Sequence, residues 1–340
     1  MTVTASRETA RVAPPGRTGT PIALTILVVA AVCVISGSVL VGARAVSLSA
    51  LYDFGDPLHV IYQARLERTV LALAVGGALG LAGACMQGLT RNPLADPGIL
   101  GINAGASFAM VLGISYLGIS GLQDYLWLAF VGAAVAAVAV QAIASMGRDG
   151  ASPMKLAIAG AALTAAVSSW TSGVLLIDRK TMETFRMWQV GTVGGRGFDV
   201  LLTGLPFLAA GAVLALVGAR LLNTLALGDD LARVLGRRTR VDRLSLGVAI
   251  VLLAGAATAL AGPIAFVGLI VPHGVRALVG SDYARILPFS AAFGGLLTVL
   301  ADTVGRIVLP PAEVQVGIMT AVVGVPVFLY LIRRGRMQGL

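Results

Sequence analysis

Apolar residues gather in ten runs along the chain, near positions 22–42, 65–87, 97–117, 125–146, 153–177, 198–220, 243–262, 264–279, 285–308 and 314–332, with polar or Gly/Pro breaks between them. A helix needs about 20 apolar residues, rising about 1.5 Å each, to cross about 30 Å of hydrocarbon. The pattern therefore predicts an all-α, polytopic membrane protein of about ten transmembrane helices. The eighth run is short, opens beside Pro263 and contains Pro272. It is expected to be a half-helix or kinked element whose irregular backbone is buried in protein, because lipid offers no hydrogen-bond partners.

Composition supports that reading. The 340 residues are 57% hydrophobic and only 12% charged, about half the charge of an ordinary soluble domain. A net charge of +9 would suggest nucleic acid in a soluble protein, but here the cations lie between apolar runs, where they set orientation. Sorted into alternate breaks, 17 of the 25 Lys and Arg fall on one side. The remaining 8 are Arg44, Arg65, Arg68, Arg179, Lys180, Arg186, Arg196 and Arg306. The positive-inside rule then predicts two cytoplasmic termini and an even number of spans in an inner membrane.

Residues 1–21, with Arg7, Arg11 and Arg17, are expected to form a disordered cytoplasmic tail, and 335–340 a second one, around a transmembrane domain at 22–334. Ala43-Arg44-Ala45 imitates a signal-peptidase site, but the run before it is too long for a signal peptide, so the first span is retained. Cys33 and Cys85 lie in apolar runs and read as packing residues. Glycine pairs such as Gly76/Gly80, Gly101/Gly105 and Gly191/Gly195 have the spacing of close helix packing.

Three segments carry more specific chemistry. Between Arg65 and Gly105, two arginines three residues apart begin a Gly-rich span that ends in Gln87. A turn with Asn92 and Pro93 follows, then Asp96 and Pro97, an N-cap followed by a first-turn proline. A second block runs from Gly262 through Pro272, His273 and Asp302 to Arg306, and the tail Pro311-Ala312-Glu313-Val314-Gln315 leads into the last span.

In order and spacing these segments resemble the FecCD-type permease subunits of ABC importers for iron chelates, haem or cobalamin. Two departures are Glu67, where the family has Pro, and Gln315, where it has Pro after the Glu. The resemblance implies a type II ABC importer permease fold and a second permease subunit, itself or a paralogue. It also implies an ATPase dimer that uses the ATP and an extracytoplasmic substrate-binding protein. Arg65, Arg68 and Arg306 would then receive acidic residues of that binding protein. Local alternatives are Arg68 pairing with Glu67 and Arg306 pairing with Asp302.

Around 221–242, Leu227, Leu231 and Leu235 recur every fourth residue beside Asp229, Asp230 and Ala232, between Gly228 and Gly236. This spacing predicts a short amphipathic surface helix. It is open to a lipid-facing role, but the resemblance implies the segment that couples to the ATPase. The same resemblance suggests a gate at Gly150, Ala151 and Ser152. Small or apolar side chains on the fifth and tenth spans, Ala161, Thr164, Ser168, Ser169, Thr320 and Val323, would line the pathway.

The sequence holds no G-x-x-x-x-G-K-[ST] loop, so nucleotide hydrolysis is expected in another subunit and no cofactor is expected on this one. His59 and His273 lack metal-ligand spacing, so no metal is expected; His273 reads as a polar group at a helix end. An ion-coupled secondary transporter is the rival class. It would need acids within the spans, and only Asp302 lies well inside one, with Arg306 a turn away to pair with it. A membrane-embedded enzyme lacks a nucleophile and base at matching depths.

Overall fold

The computed structural model describes residues 19–42, 58–119, 121–146, 152–228, 234 and 239–337. Among them are twelve helices: α1 Gly19–Leu40, α2 His59–Thr90, α3 Ile102–Leu117, α4 Leu122–Ala144, α5 Pro153–Ile177, α6 Arg179–Gln189, α7 Phe198–Val217, α8 Ala219–Ala226, α9 Thr239–Ala261, α10 Val267–Val279, α11 Tyr283–Val308 and α12 Val316–Met337. Seven are long and apolar enough to cross a bilayer, and three shorter apolar ones are α3, α10 and residues 316–330 of α12. These ten correspond to the ten apolar runs.

The remaining two, α6 and α8, were not expected. The first is polar and amphipathic, its start capped by Asp178, which accepts from Thr181 N at 3.1 Å. That carboxyl lies below the usual carboxylate range because the Thr181 hydroxyl and backbone both donate to it. Helix α8 follows α7 after a break at Gly218 and points Leu221, Leu222 and Leu225 into the bundle.

Helix α2 is the axis of the fold. Its apolar window is 83% buried, against 17% for α1 and α5, and it packs against α1, α7, α8, α9, α10 and α11. Small residues permit this. At Gly76 and Gly80 a Cβ would run into the Gly294 and Ser290 carbonyls of α11, and at Gly83 into the Gly268 carbonyl of α10. Such close backbone approach holds helices together where lipid removes the hydrophobic incentive.

The Gly101/Gly105 and Gly191/Gly195 pairs behave differently from that expectation. Gly105 packs on Gly132 of α4, but Gly101, Gly191 and Gly195 have φ of +70°, +75° and +70° and serve turns. Cys85 is buried in α2, while Cys33 is exposed on α1.

The eighth run has the expected interrupted form. After α9, residues 262–266 leave helical geometry, Phe266 adopts φ +70°, and α10 begins at Val267 with Pro272 inside it. Most of α10 is buried. His273 lies half-buried in the middle of this helix, not at an end, so the sequence expectation for it is corrected.

Successive spans alternate direction, which gathers the polar features at two ends. One end, marked by arginines, collects the C-termini of α1, α9 and α11 and the starts of α2, α7 and α12. The other, marked by Gln87, collects the end of α2, α8, the end of α10 and the start of α11. Thr20 at the start of α1 accepts from Arg285 NH1 at 3.1 Å, which puts the first helix's beginning at the Gln87 end.

Candidate functional site

At the arginine end, four elements meet around Asp302. Arg68 of α2 donates from Nε to Asp302 Oδ1 at 2.8 Å and pairs through NH1 with Glu313 at 2.7 Å. Arg306, one turn beyond Asp302 on α11, faces Oδ2 at 3.3 Å. Its NH2 donates to Ser38 of α1 at 2.8 Å and to Thr303 at 3.1 Å, and Ser38 in turn meets Thr69 at 2.8 Å. Arg65 NH1 donates to the last carbonyls of α1, Val39 and Leu40, both at 3.1 Å. A helix C-terminus leaves such carbonyls without partners, and the guanidinium fork supplies them.

The network thus holds three cations and two carboxylates. Arg65, Arg306 and Asp302 are buried, while the Glu313 side chain is 44% exposed. Arg306 therefore pairs with Asp302 as the local alternative had it. Arg68 pairs with Asp302 and Glu313, not with Glu67. Sequence reasoning had not singled out Glu313 as a site residue. The signal was present only as an acid next to a departure from the family pattern, and its partner lies 245 residues away.

A loop at 190–197 closes over this end. Thr192 N donates to Ala261 O at 2.7 Å, and Gly317 N to Gly191 O at 3.1 Å, so the loop ties together the end of α9 and the start of α12. Arg196 on this loop is only 8% exposed, and its NH1 has no hydrogen-bond partner among the described residues. Burial pulls its guanidinium down to about 10.

At the other end, Gln87 is 2% exposed and bridges helices. Its Nε2 donates to Gly268 O at 3.3 Å and Leu269 O at 3.0 Å, and its Oε1 accepts from Arg276 NH1 at 2.5 Å. The turn after α2 is built as its residues predict. Asn92 Oδ1 accepts from Leu94 N at 3.0 Å beside Pro93, and Asp96 Oδ1 accepts from Gly98 N at 2.8 Å. Asp96 caps a 3-10 turn, Pro97–Leu100, and α3 itself starts only after Gly101.

The other expected residues are scattered. Ser152 caps α5 by accepting from Lys155 N at 3.3 Å, and Gly150 and Ala151 lie outside the described residues. Leu227 is 61% exposed just past α8, and Gly228 has φ +110°. Asp229, Asp230, Leu231, Ala232, Leu235 and Gly236 lie outside the described residues. Ala161, Ser168 and Ser169 are exposed on α5 and Thr164 is half-buried there, while Val323 is exposed on α12. Thr320 is 2% exposed and donates to Gly317 O at 3.0 Å, so it faces the bundle and not an open path. Among the described residues, no group of three or more His, Cys, Asp or Glu is placed to hold a metal ion.

Ten apolar helices with α2 at their centre, one of them interrupted at membrane depth, with a buried ion-pair network at one end, define a polytopic membrane permease. The chain belongs to the FecCD transport family, which matches residues 24–334. It is 43% identical over 320 residues to the probable siderophore transport system permease protein YfiZ of Bacillus subtilis, covering 92% of this chain and 95% of that one. It is 44% identical to the ferric enterobactin transport system permease protein FepD of Escherichia coli, covering 89% and 92%. The hemin transport system permease protein HmuU of Yersinia pestis is 36% identical, over 95% and 98%. The fold is similar, with a TM-score of 0.80 and 28% identity, to a solved chain described as an inward-facing conformation of a metal-chelate type ABC transporter, covering 92% of this chain and 99% of that one.

Proposed function

We propose that this permease forms half of the translocation pathway of an ATP-driven importer of iron chelates, with a ferric siderophore as substrate and haem or cobalamin as the alternatives. The observation that carries the choice is 43% and 44% identity, across about nine-tenths of each chain, to permeases named for a siderophore and for ferric enterobactin. It would sit in the inner membrane with both termini cytoplasmic, paired with a second copy or a paralogue. A separate ATPase dimer would bind the segment that begins at Leu227, and a substrate-binding protein would dock at the arginine end.

The geometry narrows the docking reading. Arg65 and Arg306 are buried, so an approaching carboxylate meets first the exposed Glu313 and the Arg68 that it holds. Docking would therefore proceed by exchange, the partner's acid displacing Glu313 from Arg68. The small and hydroxylated outward face of α5, with Ser168 and Ser169, is the wall best suited to the pathway.

Reconstitution with the ATPase and binding protein in lipid vesicles tests the reading. Uptake of a labelled ferric siderophore should require ATP and exceed uptake of haemin or cobalamin. Uptake of haemin or cobalamin alone would overturn the substrate, and uptake driven by an ion gradient without ATP would overturn the class.

A further inference from the structure

Helix α10 has a built-in defect. In an α-helix the N–H of residue 272 would donate to the carbonyl of residue 268, but Pro272 has no N–H. Gly268 O is thereby deprived of its intrahelical partner at membrane depth, where a polar group must be satisfied by protein. The missing donor comes from another helix, since Gln87 Nε2 lies 3.3 Å from Gly268 O and 3.0 Å from Leu269 O. The other half of the same amide accepts from Arg276, two turns further along α10. The two ends of the amide face opposite partners, two carbonyls and a guanidinium, so only one orientation satisfies both.

Helix α10 is also a unit with joints. It lies between Gly262 at φ +78° and Phe266 at φ +70° on one side and Gly280 at φ +83° on the other. Short positions of unusual backbone geometry at element ends are where hinge motion is absorbed. Phe266 is a bulky residue in the left-handed region, so its strain must be held by its surroundings, here the face of α12 at Gly324.

From Arg276 the hydrogen bonds continue to α8. Arg276 NH2 donates to Tyr283 OH at 3.2 Å, Asn223 Oδ1 accepts from Tyr283 N at 2.9 Å, and Asn223 Nδ2 donates to Asp282 Oδ1 at 2.7 Å. Arg91, which ends α2, donates from Nε to Leu225 O at 2.8 Å. Helix α8 leads straight into Leu227 and Gly228, where the ATPase-facing segment begins.

We propose that Gln87 is a positioning residue that latches α10 to α2, and that Asn223, Tyr283 and Arg276 carry the position of α8 to that latch. A shift of α8 driven at its C-terminal end then resets the interrupted helix across the bundle. The latch rests on the importer reading above for what drives α8.

The test uses the assembled transporter in lipid, in a Cys33→Ser background with a cysteine replacing the exposed Ala277 on α10. Gln87→Glu keeps a partner for Arg276 but turns a carboxylate toward the Gly268 and Leu269 carbonyls. Expected are intact assembly, ATP hydrolysis that continues, about tenfold less ferric siderophore imported per ATP, and thiol labelling at position 277 that no longer responds to nucleotide. Asn223→Asp, which faces the Asp282 carboxylate, should act in the same direction. Combining it with Asp282→Asn exchanges donor and acceptor and should restore import per ATP.

A purely structural role would instead lower assembly, hydrolysis and import together, with no rescue by the exchange. If Gln87→Glu fails to assemble, the Asn223/Asp282 exchange decides. Unchanged import per ATP in assembled Gln87→Glu, or absent rescue, overturns the latch. Should the unsubstituted transporter import no chelate, the importer reading fails. The response of the position 277 thiol to nucleotide, with and without Gln87→Glu, then still decides the latch.

Discussion

The two ends of the bundle are held by different chemistry. At the arginine end, Asp302 of α11 holds Arg68 of α2 and Arg306 of its own helix, Arg306 reaches Ser38 of α1, and a third guanidinium, Arg65, closes α1. At the Gln87 end, the neutral amides of Gln87 and Asn223 do most of the joining, with single hydrogen bonds from Arg276 and Arg91 and no carboxylate shared between two guanidinium groups among the described residues. Breaking a buried ion pair strands a charge and costs about 3–5 kcal/mol, whereas one neutral hydrogen bond is worth about 1 kcal/mol net. The first arrangement makes a fixed hub and the second a joint that can be remade in each transport cycle. In this chain strength and mobility are divided between ends.

The largest effect should come from breaking the hub. Asp302→Ala leaves Arg68 with only Glu313 and Arg306 with no carboxylate, both away from water, and should cost about 3–5 kcal/mol. Thermal unfolding of the solubilised protein should show a correspondingly lower midpoint. Glu313→Gln, at a side chain 44% exposed, should cost no more than about 1 kcal/mol. Equal losses for the two substitutions would show that the hub is not centred on Asp302.

A smaller effect is expected at the other end. Asp282 caps α11 by accepting from Ala284 N at 3.0 Å, and its carboxyl is held below the usual range, first by the Asn223 amide and then by that backbone N–H. Asp282→Ala should cost about 1 kcal/mol, the usual worth of a cap. A lowered carboxyl contributes stability that is present above its unfolded value of about 3.9 and lost as pH falls through the folded value. The gap in midpoint between the two proteins should therefore be constant near neutrality and narrow only in acid. A gap that narrows between pH 6 and 8 would point to a different group.

Much of this was legible in the sequence. Apolar runs of spanning length mark the ten helices, and Pro263 and Pro272 mark the interrupted one, because both signals are local. The turn at Asn92 to Pro97 was legible for the same reason, its side chains bonding to backbone two residues away. What the sequence hid is pairing over distance. Arg68 and Asp302 are 234 residues apart, and nothing in the local pattern prefers Asp302 to Glu67 as the partner. Helix α6 was missed because an amphipathic surface helix has too few apolar residues to register as a span. Thr320 was assigned to an open face because periodicity along α12 does not say which face its neighbours cover.

The smallest effect, and one of opposite sign, concerns Arg196. Its charge is buried on the loop that ties the end of α9 to the start of α12, yet NH1 has no hydrogen-bond partner among the described residues. A guanidinium in that position contributes desolvation cost without the Coulomb energy that Arg68 and Arg306 recover from Asp302. Its alkyl stem still covers apolar surface, so a replacement must keep that volume. Arg196→Met should therefore leave the unfolding midpoint of the isolated permease unchanged or raise stability by up to about 1 kcal/mol. The comparison that matters repeats the measurement on the assembled transporter. If the substitution is harmless to the isolated chain but weakens assembly or capture of the binding protein, a carboxylate from outside the chain completes the site. If it destabilises the isolated chain, Arg196 belongs to the hub after all and the charge there is satisfied from within.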